Sequence, residues 1–220
     1  MGKIKEVTIC TGGACDLDPG PGGYRMKILI MNTHPGPNPL FLDGLLTHLA
    51  RLHIHPQVMD AYDGEQPLHH QPDRIILTGV PLDADYSLSE PATQRLVQRT
   101  FGWLQEANCP VLGICYGHQI IAHIFGVQVA SLERPVEEPR HPLYLINKGD
   151  VGIFAGFDKI EVFAEHRDYM SSVPPGFKVL TPNSPIPYTI YHPELRIYGI
   201  QFVPELSDTV TQKILQRFLS

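Results

Sequence analysis

The sequence predicts an α/β fold: three layers around a mostly parallel sheet, with extra short antiparallel strands in the second half. Three observations carry this. Short, continuously apolar runs at 27–32, 74–78 and 110–114 alternate with segments of helical spacing, as parallel strands covered on both faces require. The third run ends in Gly113-Ile114-Cys115-Tyr116-Gly117 and passes at once into an apolar helical pattern, Ile120 to Phe125. Beyond residue 127 the texture changes to short β-rich segments at 127–132, 142–147, 160–165, 177–182, 187–191 and 196–203, closed by a helix over about 206–219.

The individual elements follow in order. Met26 to Asn32 reads as a buried first strand, and the breaker-rich loop from Thr33 to Pro39 follows it. Phe41, Leu45, Leu46, Leu49 and Leu52 recur at helical spacing, which predicts a helix running to residue 53. His55 to Ala61 is a short second strand and Arg74 to Thr78 a third. Glu90 to Ala107 is a helix with Pro91 in its first turn and Leu96, Val97, Phe101 and Leu104 as its buried stripe.

Composition bounds the class. The chain has 220 residues, enough for one sizeable domain without covalent staples. Its net charge of −6 argues against a nucleic-acid-binding surface. Four cysteines in a chain this long do not form a disulfide framework, and no apolar run is long enough to span a membrane. The expected compartment is the cytoplasm, with no membrane partner.

Residues 1–25 are expected to be a flexible or non-native extension, and residues 26–220 the domain. The first 25 positions hold six glycines and show little periodicity, whereas the first strand begins with its own methionine, Met26. Cys10 and Cys15 suggest a metal site, but a cluster needs four thiolates, and the others are only Cys109 and the corner Cys115. Neither metal nor cofactor is expected.

The Gly-x-Cys-x-Gly run is the sequence form of a nucleophile elbow. The chain reverses sharply from strand to helix with the nucleophile at the corner, and Gly113 and Gly117 relieve the crowding. Cys115 then lies at a helix N-terminus, where unpaired N–H groups and the macrodipole favour a thiolate.

Together with three further stretches in the same order, this motif resembles the class I glutamine amidotransferases, and most of all the glutaminase domain of GMP synthetase. Ile76-Leu77-Thr78-Gly79-Val80-Pro81 resembles the family's oxyanion loop. Glu165-His166-Arg167-Asp168 is similar to its Ser-His-Gly-Asp segment, and Ile197 to Glu205 to its Tyr-Gly-Val-Gln-Phe-His-Pro-Glu stretch. The resemblance spans residues 27–219 and implies a flavodoxin-like sheet order. It also implies a Cys-His-Glu triad that splits glutamine through a thioester. Cys115 would be the nucleophile, and the N–H groups of Val80 and Tyr116 the oxyanion donors. Gly79, Gln119, His166 and Asp168 would line the substrate pocket, with Asp168 meeting the α-ammonium group.

The resemblance breaks at one position. Val203 stands where the family has the triad His, while Glu205 is retained. Strand alternation over 196–203 would put Gln201, Val203 and Glu205 on one face. Valine neither accepts the thiol proton nor gives one to departing ammonia. Of the remaining histidines, His166 is the best surrogate base. His118 reads as a pocket or packing residue, His123 as a core histidine, and His192 lies about 23 Å from position 203 along the strand. Three readings follow: an impaired glutaminase domain supplying a separate synthetase subunit with ammonia, a binding or regulatory pseudo-enzyme for glutamine or a γ-glutamyl compound, and a γ-glutamyl peptidase-type Cys hydrolase.

Overall fold

The computed structural model describes residues 26–34, 39–52, 54–60, 71–82, 91–146, 152–204 and 209–220. The expected N-terminal extension therefore lies outside the described residues, as does Glu205. A seven-stranded sheet forms the centre. Its strands are β1 (Ile28–Asn32), β2 (Gln57–Asp60), β3 (Arg74–Leu77), β4 (Val111–Ile114), β7 (Lys178–Val179), β8 (Thr189–His192) and β9 (Ile197–Ile200). Their order is β2-β1-β3-β4-β9-β8-β7. The first five neighbours are parallel, and β8 and β7 add on antiparallel.

The parallel strands are fully apolar because both faces are covered. Ile28, Ile30, Ile76, Leu112 and Ile114 pack towards α1 (Gly44–Arg51) and α4 (Thr209–Phe218). Alternate residues Leu29, Met31, Ile75, Leu77 and Val111 pack towards α2 (Pro91–Ala107) and α3 (Tyr116–Ile124). This is the expected three-layer architecture.

Several boundaries differ from the sequence reading, each for a physical reason. A π-helical turn, Pro39–Asp43, precedes α1. On α2, Phe101 is solvent-exposed and Trp103 fills the buried stripe in its place. The segments 127–132 and 142–147 are two ends of one long strand, β5 (Val129–Tyr144), paired antiparallel with β6 (Lys159–Met170) as a separate two-stranded ribbon. Pro135 and Pro139 lie within its two register shifts, Ser131/Val136 and Glu138/His141, which a free ribbon edge tolerates. β6 continues to Met170, so His166 and Asp168 belong to a strand. β9 stops at Ile200, and Gln201, Phe202 and Val203 are all fully buried. Strand alternation therefore does not assign a face to these three residues.

The feature that positions everything else is the close approach of α3 to the sheet. Gly113 and Gly199 are register partners on β4 and β9. A Cβ on Gly113 would lie 2.6 Å from the Gly117 carbonyl oxygen, and one on Gly199 2.5 Å from His118 Nδ1. Gly117 in turn leaves no room for a Cβ, which would fall 2.6 Å from the Leu77 oxygen. Gly113→Ala should therefore overpack the helix–sheet contact and cost about 2–3 kcal/mol. Urea unfolding of the variant checks this, with a clear drop in midpoint as the expected outcome.

Candidate active site

The carboxyl ends of β3, β4 and β9 converge on Cys115, the residue between β4 and α3. Its φ of 50° and ψ of −102° are strained for a side chain with a Cβ, a conformation that costs on the order of 1–3 kcal/mol. Backbone hydrogen bonds hold it there. Cys115 N donates to the Ile200 oxygen at 2.7 Å, Gln119 N to the Cys115 oxygen at 3.2 Å, and Gly117 N to the Thr78 oxygen at 3.2 Å. Thr33 Oγ1 also donates to the Thr78 oxygen, at 2.8 Å, which ties the end of β3 to the end of β1.

The Gly79–Val80 loop touches this corner. A Cβ on Gly79 would lie 3.1 Å from Cys115 Cβ and 2.7 Å from a ring carbon of Phe41, so only glycine lets this backbone reach the thiol. Val80 is half-buried beside it, and Tyr116, the residue after the thiol, is buried in the core beneath α3.

The thiol itself is buried, and polar groups of β6 and of Gln201 meet it. Cys115 Sγ donates to the Glu165 oxygen on β6 at 3.7 Å, and Gln201 Nε2 donates to Sγ at 3.8 Å. Gln119 completes a chain of amides. Its Nε2 donates to the Asp168 oxygen at 2.8 Å and to Gln201 Oε1 at 3.4 Å. The structure thus brings Cys115, Gly79, Gln119 and the β6 segment together. Sequence reasoning did not select Gln201, although it stood inside the quoted motif; its position two residues before Val203 was the available signal.

His166 and Asp168 are engaged within the fold. His166 Nδ1 donates to the Asp168 backbone oxygen at 3.1 Å, which leaves Nε2 to accept from the Tyr188 hydroxyl at 3.1 Å. Neither ring nitrogen is bonded to Cys115. Burial pulls the His166 pKa down to about 4, against the backbone bond to Asp168. The Asp168 carboxylate accepts from Ser131 Oγ at 2.5 Å across the ribbon. Val203 is fully buried, and its N–H donates to the Phe163 oxygen at 3.0 Å. Carbonyls two residues apart on a strand point to the same edge roughly 7 Å apart. Position 203 is therefore anchored on the same carbonyl row of β6 as the thiol, which rests on Glu165.

The remaining histidines sort differently. His118 is fully buried against the carbonyls of Pro187 and Gly199 without a well-aligned hydrogen bond, and burial lowers its pKa to about 3. His123 is half-buried and 3.4 Å from Gln94 Nε2 rather than in the core. His192 packs on Phe125 and Phe177. No group of three or more potential metal ligands occurs among the described residues, and no described helix is long and apolar enough to cross a membrane. Cys109 lies at the opposite end of β4, where burial pushes its pKa up to about 11 despite Arg74 and Arg196 nearby.

Comparison with known proteins decides the family. The family model for glutamine amidotransferase class-I matches residues 41–220. The chain belongs to this family. It is 36% identical over 153 residues, 69% of its length, to a glutamine-hydrolyzing GMP synthase of Thermomicrobium roseum, of which it covers 27%. It is also 40% identical over 107 residues to a glutamine-hydrolyzing GMP synthase subunit of Pyrococcus furiosus, covering 48% of this chain and 55% of that one. The chain thus spans between about a quarter and just over half of these curated relatives. Among solved structures, a glutamine amidotransferase from Thermotoga maritima superposes with a TM-score of 0.64 at 18% identity, over 88% of this chain and 81% of that one. At that identity the likeness shows the shared fold, which agrees with the mostly parallel central sheet.

Buried imidazoles make stability depend on pH, and His48, whose pKa burial and Arg51 also lower, adds in the same direction. His118 and His166 sit below their ordinary value of 6.5, so the folded chain keeps them neutral where the unfolded chain binds protons. Stability is full above about pH 6.5 and falls as pH drops towards 4. At pH 5 each contributes a loss of about 2 kcal/mol. Urea midpoints at pH 7.5 and pH 5 should differ accordingly, and His118→Asn should remove its share of about 2 kcal/mol.

Proposed function

We propose that this chain is a glutamine-binding amidotransferase domain in which Cys115 attacks the side-chain amide of glutamine and turnover is impaired at position 203. The observation that carries the reading is the Cys115 corner: a strained elbow thiol with the Gly79 backbone against its Cβ and Gln201 Nε2 on its sulfur. In the proposed reaction Sγ bonds to the amide carbon and the carbonyl electron pair moves onto oxygen, where the N–H groups of Val80 and Tyr116 receive it. Collapse forms the thioester and breaks the C–N bond. The departing nitrogen must gain a proton to leave as ammonia, and water must then lose one as it attacks the thioester. An imidazole shuttles these protons in an intact triad, and the buried isopropyl group of Val203 does not.

Free ammonia has to be consumed elsewhere. The Pyrococcus furiosus relative is by name one subunit of its enzyme, which supports a separate synthetase chain as partner here. A second reading, a pseudo-enzyme that binds glutamine or a γ-glutamyl compound, is favoured by two observations. Position 203 is apolar, and both ring nitrogens of His166 are already engaged.

One substitution separates them. The unaltered chain should hydrolyse glutamine very slowly, and Val203→His should raise ammonia release up to about a hundredfold. Ammonia release is measured with purified chains of both kinds. An ordinary turnover on the order of 10 per second in the unaltered chain would refute the impairment. A Val203→His chain that stays inert while binding glutamine would favour the pseudo-enzyme.

A further inference from the structure

We infer that Gln201 is the group that holds the Cys115 thiolate: its amide donates to the sulfur, in an orientation locked by Gln119. The inference deepens the reading of Cys115 as the nucleophile and rests on it, but it concerns the sulfur alone and needs no glutamine turnover to test.

A glutamine side chain is a donor at one end and an acceptor at the other, so which end meets the sulfur decides whether it stabilises a thiol or a thiolate. Gln119 fixes the choice. One N–H of its amide is committed to the Asp168 backbone oxygen at 2.8 Å, an atom that can only accept. The same nitrogen then directs its second hydrogen to Gln201 at 3.4 Å, so the Gln201 atom facing it is the oxygen. Gln201 Nε2 is thereby turned towards Sγ at 3.8 Å. The Asp168 oxygen also accepts from His166 Nδ1 at 3.1 Å, which anchors the relay in the β6 backbone from a second side.

Burial makes the contact count. Gln201 is fully buried and Gln119 nearly so, and Cys115 is 4% exposed. In such a site a hydrogen bond is less weakened by competing water than at the surface, and one made to a charged acceptor is the stronger kind. When the thiol ionises its proton passes to solvent, and the sulfur keeps the pair that Gln201 N–H then faces. The opposing neighbour, the Glu165 oxygen, accepts from S–H and favours the neutral form. Gln201 and the N-terminus of α3 oppose it. Gln201 performs the electrostatic half of an imidazolium's task and none of its proton transfer.

The test is the pH dependence of iodoacetamide alkylation of Cys115, read by peptide mass on the full chain, with thiolate absorbance near 240 nm as a second readout. Gln201→Met keeps the length of the side chain and removes the donor. The alkylation midpoint should move up by about one pH unit, with rates about tenfold lower near pH 7. Gln119→Met, which unlocks the amide without touching the sulfur, should move the midpoint in the same direction by less. Should Gln201→Met fail to fold, Gln201→Asn withdraws the amide by one methylene, and the same upward displacement is expected. A folded Gln201 variant whose profile superimposes on that of the unaltered chain would overturn the inference. Failure of Cys115 to alkylate in the unaltered chain at any pH would instead overturn its reading as the nucleophile.

Discussion

The close approach of α3 to the sheet is the constraint on which the rest depends. Gly113, Gly117 and Gly199 each occupy a place where a Cβ would collide with backbone or a buried ring. Their absence of side chains lets the helix begin directly over β4, and that in turn forces Cys115 into its strained corner. The strain of one residue is small against the apolar burial that α3 gains through Ile120, Ile121 and Ala122. The helix cannot slide away to relieve the corner, because Gly117 N is held by the Thr78 oxygen.

The β5–β6 ribbon supplies the other wall. It lies outside the main sheet, yet the Phe163, Glu165 and Asp168 carbonyls of β6 accept from Val203, Cys115 and Gln119 respectively. Backbone oxygens, more than side chains, make up this surface. That explains how the segment can depart from the family's Ser-His-Gly-Asp and still face the thiol. The Asp168 carboxylate, tied to Ser131, and the His166 ring, held between Asp168 and Tyr188, are parts of the ribbon's own structure as well as candidates for the pocket.

Much of this was legible in the sequence where local chemistry decides the outcome. Continuous apolar runs specify strands covered on both faces, and Gly-x-Cys-x-Gly before a helical pattern specifies the elbow. The illegible parts depend on tertiary contacts. The single strand Val129–Tyr144 was hidden by its prolines and charges, which a free ribbon edge accepts and a central strand would not. Past Ile200 the Gln201 N–H still meets the Tyr188 oxygen in register with β8, but the Val203 N–H leaves the sheet for the Phe163 oxygen of the ribbon. The role of Gln201 depends on Gln119, 82 residues earlier in the chain, and on Asp168 in a separate ribbon. No spacing rule encodes such a relation. On α2 the buried face runs through Leu96, Thr100 and Trp103, the i, i+4, i+7 positions, so Phe101, two residues before Trp103, falls on the opposite side and stays exposed.

The central claim is that the Cys115 thiol faces a pocket shaped for glutamine, and affinity labelling tests it most directly. A glutamine-shaped electrophile, 6-diazo-5-oxo-norleucine, is incubated with the intact chain, and the modified peptide is identified by mass. The account predicts one adduct, on Cys115, slowed by excess L-glutamine and unaffected by excess D-glutamine. Cys109, whose pKa burial pushes up to about 11, should stay unmodified. Labelling of Cys109 in preference, or labelling of Cys115 that L-glutamine does not slow, would contradict it.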